Sequence, residues 1–304
     1  MEWKVCGCSS RVKGYKLKIL VTGASGFIGN HLIKELLKNT NHEIIASSRD
    51  MEKAKKYEWF SRVKYISYDL NSQEELNLFE YFDKPDKVIH LAWDGLPNYN
   101  DLIHIEKNLF NNYQFIKNLV ANGLKDITIT GTCFEYGMVN GCLSEDIQTN
   151  PSNSYAIAKD SLRKFVEELN KQFEFNYKWI RLFYIYGEGQ SEKSLVALLE
   201  KAIQNNEKEF NMSKGEQLRD YLNIKDVVEN ILLISNQPLY SNQIINCCNG
   251  EPISIRKLVE NYLKEKRYTM KLNLGFYPYP DYEPMAFWGN NNKLDLIKKG
   301  KNES

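Results

Sequence analysis

Apolar positions along this chain recur with two different periods. Short runs at residues 17–21, 42–46, 63–67, 87–92 and 126–130 carry Ile, Val or Leu and read as buried strands, and 179–187 and 243–247 continue the series. Between the first two runs, Ile28, Leu32, Ile33, Leu36 and Leu37 recur at helical spacing, as do Leu162, Phe165, Val166 and Leu169 further on. A long helix is predicted over 101–122, where Phe110, Tyr113, Phe115, Ile116, Leu119 and Val120 supply more apolar surface than one stripe needs. Strand runs alternating with helical ones predict an α/β fold.

The first strand run enters three glycines at even spacing, Gly23, Gly26 and Gly29, and a helix follows at once. Strand, glycine turn and helix open a dinucleotide-binding βαβ unit. The first glycine lets the chain turn sharply. The second lets backbone N–H groups approach a pyrophosphate, and the third lets helix and strand pack closely. The helix N-terminus then turns its partial positive charge toward the phosphates. Gly23, Ser25, Gly26, Phe27, Ile28 and Gly29 are the candidate cofactor residues of this turn.

With Thr22 in front, the stretch TGASGFIG resembles the extended short-chain dehydrogenase/reductase family, whose members mostly act on nucleotide sugars. The resemblance extends through VIHLA at 88–92, the hydroxyl residue Thr132 four places before Tyr136, and the Tyr155-x-x-x-Lys159 pair, and so covers most of residues 17–187. It implies a Rossmann-type doubly wound parallel sheet (residues 17–183, with 222–249 returning to it). A smaller, discontinuous α/β substrate domain (184–221 and 250–297) is expected beside it, and flexible termini at 1–16 and 298–304. Asp69, Leu70, Leu91 and Ala92 stand where the family lines its cofactor cleft, although Asp69 could equally cap a helix starting near Ser72. Asn108 matches a position that adjusts the helix beside the active site. His90, inside an apolar strand, reads as a packed core residue rather than a catalyst.

At the end of the second strand, where NAD-binding members place a ribose carboxylate, the chain has Ser48 followed by Arg49. A small hydroxyl beside a guanidinium suits a 2′-phosphate, which a carboxylate would repel. NADP is therefore the favoured cofactor. NAD remains the alternative, with Asp50 as the ribose acid if the strand ran two residues longer.

Tyr155 and Lys159 lie four apart and so share a helix face. A phenol with an ordinary pKa of ~10 is a poor acid–base catalyst at neutral pH, and a neighbouring ammonium is expected to lower it. The resemblance implies that Tyr155 exchanges a proton with the substrate oxygen, that Thr132 hydrogen-bonds that oxygen, and that Lys159 also holds the nicotinamide ribose. Dehydratases of the family carry an Asp-Glu pair directly after the Ser/Thr; here Cys133 and Phe134 occupy those places, with Glu135 one position late. Members that epimerise C3 and C5 use a Cys–His pair, but no histidine follows His104, so Cys133 reads as a filler lining the substrate site. Two reactions remain: reduction of a nucleotide-diphosphate 4-keto-6-deoxysugar at C4, which the Ser48–Arg49 reading favours, and C4 epimerisation with retained NAD. A non-catalytic dinucleotide-binding protein is the remoter alternative, because such proteins lose the Tyr or the Lys. The resemblance makes Arg219, in an Arg-Asp-Tyr motif, the favoured diphosphate ligand, with a purely structural pairing as the alternative, and the aromatic, Pro-rich stretch 276–288 either folds over the substrate cleft or packs around an irregular loop.

Composition narrows the partners. Forty basic and 39 acidic residues leave a net charge of +1, which gives no electrostatic case for nucleic acid or membrane binding. No apolar run is long enough to cross a membrane, and residues 1–16 lack the apolar centre of a signal peptide. The spacing of the six cysteines suits neither a zinc site nor an obvious disulfide framework, and a reduced, cytoplasmic protein without a metal is expected. In the family, the helix over 101–122 and the one after Tyr155 form a four-helix dimer contact, so a homodimer is expected.

Overall fold

The computed structural model describes residues 16–72 and 75–302. Strands β1 (Lys18–Thr22), β2 (Glu43–Ser47), β3 (Lys64–Tyr65), β4 (Lys87–His90) and β5 (Asp126–Thr132) join strands Asn176–Leu182 and Gln243–Cys247 in one seven-stranded sheet. From edge to edge the order is Gln243–Cys247, Asn176–Leu182, β5, β4, β1, β2, β3, and every pairing is parallel. This is a Rossmann-like α/β fold. The order reverses at β1 and β4, and a crevice opens at such a switch point beyond the carboxyl ends of the strands. The register brings Thr22 level with Ser47 and His90, and Thr132 level with Leu182.

The two-residue period of the strands divides the core. Ile19 and Val21 face helix α1 (Phe27–Asn39) and helix Ile224–Ser235, while Leu20 faces the opposite layer of Phe115, Leu119, Leu162 and Val166. Helices Phe110–Ala121 and Ser154–Gln172 form that second layer. His90 is fully enclosed, bonded to Thr22 and Asn112 at 2.8 and 2.7 Å, and burial pushes its pKa down to about 4. It is therefore a neutral core residue at physiological pH. Beyond the sheet, Tyr184–Tyr186 pairs with Tyr221–Asn223, while Glu209–Met212 and Lys271–Leu274 help build a smaller cluster around Leu199, Phe210, Val259 and Leu263.

Three expectations need correction. The segment predicted as one helix over 101–122 begins with a π-helical stretch, His104–Leu109, before the α-helix Phe110–Ala121. The wider turn lets both His104 and Asn108 point inward, where a regular helix would rotate the following residues differently. The third strand pairs only over Lys64–Tyr65, because it is the sheet edge and has one neighbour. The C-terminal stretch is helical to the end of Asn292–Asn302, since Leu294 and Ile297 bury themselves against the first layer; residues 298–302 are thus part of an ordered helix. The expected flexible segment 1–16 lies, apart from Lys16, outside the described residues, as do 303 and 304.

Candidate active site

A cleft of about 370 Å³ lies along the carboxyl ends of β1, β2 and β4. Gly23, Ser25, Gly26, Ser48, Arg49, Asp69, Leu70, Leu91 and Ala92, nine of the residues anticipated for a cofactor, line it. Gly23 adopts φ +68°, and a methyl group there would stand 2.9 Å from the Ala92 nitrogen. At Gly29 an added Cβ would come within 2.3 Å of the Gly23 carbonyl oxygen, so this glycine serves packing rather than the cleft wall. Helix α1 starts at Phe27 and Ile28 with Gly26 as its N-cap, and no side chain caps it. Open N–H groups at a glycine-lined helix start fit a pyrophosphate, so the residues present suit a dinucleotide.

The adenosine end departs from expectation. Arg49 is held in a two-pronged ion pair by Asp94 at 2.6 and 2.9 Å, across the cleft from the end of β2 to the loop after β4. The guanidinium thus faces a carboxylate rather than open space, with both side chains partly exposed. Ser48 shares a hydrogen bond with Tyr65. Asp50 accepts from the Lys53 N–H as the cap of Met51–Ala54 and also lines the cleft. Asp69 accepts from the Asn71 N–H and side-chain amide, closing a turn.

Deeper in, β5 and helix Ser154–Gln172 bring Thr132, Tyr155 and Lys159 together, all three buried. Asn153 caps that helix by accepting from the Ala156 N–H, which fixes Tyr155 in its first turn. Thr132 accepts from the Phe134 N–H, leaving its own hydrogen for Tyr155, with which it is hydrogen-bonded. Lys159 donates to the Thr130 carbonyl at 2.8 Å and lies 4.0 Å from the centre of the Trp93 ring. Burial lowers its pKa to about 7. Burial likewise raises the Tyr155 phenol above its usual range, helped by Tyr99, Glu135 and Cys133 and opposed by Thr132. Desolvation governs the phenol and Lys159 does not lower it, so Tyr155 is a protonated phenol at neutral pH.

Of the residues that enclose this triad, sequence reasoning anticipated Asn108 and Cys133 but missed Trp93 and His104. Trp93 meets Tyr155 edge to face and donates to His104 Nδ1 at 3.1 Å; His104 Nε2 consequently carries the hydrogen and donates to the Asn98 carbonyl. With both nitrogens engaged, His104 is spacer and wall. Asn108 holds the Asp94 carbonyl at 3.0 Å. Cys133 is buried beside Tyr155 with its thiol pushed up by burial, which makes it an inert filler. Glu135 points away from the cleft into the protein. One signal was legible: Thr132-x-x-Glu135 has the form of a capping box, which the structure contains.

Arg219 was expected to meet a diphosphate. It is instead buried and bonded to Glu283, with Nε at 2.9 Å, and donates to the Leu218 and Met285 carbonyls. The stretch 276–288 does fold inward, bringing Glu283 onto Arg219 and Tyr184 and Tyr282 against Tyr99. A second cavity of about 400 Å³ opens in the smaller part, between Tyr186, Tyr221, Asn249 and Tyr262. Among the described residues no group of three or more His, Cys, Asp or Glu is placed to hold a metal ion, and no helix is long and apolar enough to cross a membrane.

A glycine-cradled cleft beside a Thr–Tyr–Lys set is the site of an NAD(P)-dependent enzyme. The chain belongs to the NAD dependent epimerase/dehydratase family, whose model matches residues 19–248. It is 31% identical over 276 residues to the dTDP-6-deoxy-L-talose 4-dehydrogenase (NAD(+)) of Aggregatibacter actinomycetemcomitans, covering 90% of this chain and 99% of that protein. It is 28% identical to the dTDP-4-dehydro-6-deoxyglucose reductase of Escherichia coli, over 85% and 84% of the two chains. The fold matches that of the UDP-glucuronic acid 4-epimerase of Bacillus cereus solved with UDP-glucuronic acid and NAD, with a TM-score of 0.80, 24% identity and 93% of each chain covered.

The buried lysine has a thermodynamic signature. Its folded pKa of about 7 lies below the ordinary 10.5, so between these values the unfolded chain binds the extra proton and stability rises with pH. Urea denaturation of wild type and Lys159→Met should show wild type gaining on the variant from pH 7 to pH 10; a constant difference would reject the low pKa.

Proposed function

We propose that the protein is a C4 oxidoreductase of nucleotide-diphosphate 6-deoxyhexoses, reducing the 4-keto sugar. The observation that carries this reading is the buried Thr132, Tyr155 and Lys159 set. The dinucleotide, when bound, supplies the hydride. Tyr155, kept as a phenol by burial, donates its proton to the sugar oxygen as negative charge develops there. Thr132 offers its hydroxyl hydrogen to the same oxygen and fixes its position. Lys159, one turn along the helix and titrating near neutrality, steadies the oxyanion left on Tyr155. Dehydration would need a further acid and base, but Cys133 and Phe134 fill those places and Glu135 is engaged by Trp179 and Arg181. Two relatives are named for the C4 chemistry of dTDP-linked 6-deoxysugars, and this supports the substrate class. The tyrosine-lined second cavity suits the flat face of a nucleoside base.

The cofactor in this reading is NAD(H). The adenosine end of the cleft carries Asp50, Asp69 and Asp94 against Arg49 and Lys53, and Arg49 is already engaged. The NAD(+) in the name of the talose dehydrogenase agrees with it. The same acidic end favours a second reading, C4 epimerisation with NAD retained. Helices Phe110–Ala121 and Ser154–Gln172 expose Phe110, Ile157 and Phe165, and Tyr113 meets Phe165 across them; we assign this face to a homodimer contact.

Four experiments test these assignments. Tyr155→Phe should lose NADH oxidation with a nucleotide 4-keto-6-deoxysugar by at least ~10³-fold while NADH affinity changes less than ~3-fold; retained turnover rejects the mechanism. Protein purified with stoichiometric, non-exchanging NAD would make it an epimerase. Asp94→Asn should free Arg49 and improve NADPH binding relative to NADH by about 10-fold, measured by fluorescence titration; an unchanged ratio would separate Arg49 from cofactor choice. Phe165→Glu should convert a sedimenting dimer to a monomer, and monomeric wild type would remove the dimer.

A further inference from the structure

Glu135 is the most enclosed acid of the described chain near the reactive residues, with no exposure to solvent. Its carboxylate reaches beneath the end of β5 through space that exists only because residue 131 is glycine: a Cβ there would stand 2.3 Å from Glu135 Oε1 and 2.1 Å from Trp179 Nε1. Oε1 accepts from the Thr132 N–H at 2.9 Å and from Trp179 Nε1 at 3.0 Å, and Oε2 accepts from Arg181 Nε at 2.8 Å. Arg163 Nε lies 3.9 Å from Oε2. On the same three-residue strand end, Lys159 holds the Thr130 carbonyl. Residues 130–132 are thus gripped at both ends, by Lys159 at one peptide and Glu135 at the other.

We propose that Glu135 is a positioning residue of this active site, fixing the Thr132 peptide and hydroxyl and setting its buried negative charge beneath the strand end that Lys159 holds. The inference rests on the oxidoreductase reading. A packing role alone would not need a charge here, since burying an ion pair gains little stability over apolar residues of the same volume. Glu135 is also the only partner whose charge supports the protonated form of Lys159 against burial. The other ionisable groups facing this pair are Arg181 from strand Asn176–Leu182, Arg163 and Tyr155 from the Tyr155 helix, His90 from β4, and the neighbouring Cys133 and Tyr136. Arg163 is matched by Asp160 and Glu167, His90 stays neutral, and Arg181 lies flat on the Tyr136 ring at 4.4 Å.

Glu135→Gln alone would leave Arg181 buried without its anion, so the test uses Glu135→Gln combined with Arg181→Met, which removes both charges of the pair. Two readouts are followed from pH 5.5 to 9 in the folded double variant: kcat for the 4-keto sugar, and NADH affinity by quenching of protein fluorescence. Expected are a kcat at least ~10-fold lower at pH 7.5 and an alkaline decline in NADH affinity displaced by about one unit toward acid. A folded double variant with wild-type kcat and a superimposable pH profile overturns the proposal. The NADH titration needs no sugar, so wild type that binds NADH but reduces no 4-keto sugar would count against the proposed function and leave this inference standing or falling on its own curve.

Discussion

The contact between Gly23 and the backbone of Leu91 and Ala92 leaves no room for a methyl group, and the site depends on that closeness. It lets the turn after β1 lie against the end of β4, with Thr22 reaching the Leu91 N–H and His90 below. Gly29 repeats the constraint one helical turn later, seating α1 on the same turn. A parallel sheet then sends every strand toward this edge, and the loops carrying Arg49, Trp93 and Thr132 have to meet there. The glycines position the polar groups by being absent themselves.

Much of this was legible in the sequence because it is local. The glycine turn, the Tyr155–Lys159 pair and the strand runs are each fixed by residues within a few places of one another, and period and spacing report them directly. What could not be read depends on long-range pairing. Arg49 lies 45 residues from Asp94, and Arg219 lies 64 from Glu283. In both cases a guanidinium that looked ready for a phosphate had a carboxylate elsewhere in the chain. The tyrosine illustrates a different limit. Spacing placed an ammonium near it, but only the fold determines how thoroughly water is excluded, and exclusion proved the larger effect. The helix register failed at His104 because nothing in a hydrophobic pattern marks one residue too many in a turn.

Four pairs of buried or largely buried ionic groups are matched across the fold. Arg181 with Glu135, Arg163 with Asp160, Arg219 with Glu283 and Lys178 with Asp126 each join elements distant from one another or successive helix turns. Such pairs add little to stability, yet each makes one arrangement of the chain much better than its neighbours. Three of the four border the catalytic region or the segment that covers it. The exception, Lys178 with Asp126, lies at the opposite end of the central strands.

The C-terminal stretch links the whole molecule. Phe287–Gly289 pairs with Gly141–Leu143, Glu283 holds Arg219, and Leu294 and Ile297 close the layer over α1 and the Cys247 strand. A chain emerging from the ribosome therefore has its glycine turn and its Tyr155 helix long before it has a finished enzyme. The pairing with Gly141–Leu143, the charge that meets Arg219 and the core side chains Leu294 and Ile297 all belong to residues 283–297. The segment that joins the halves of the molecule is thus made long after the residues it covers.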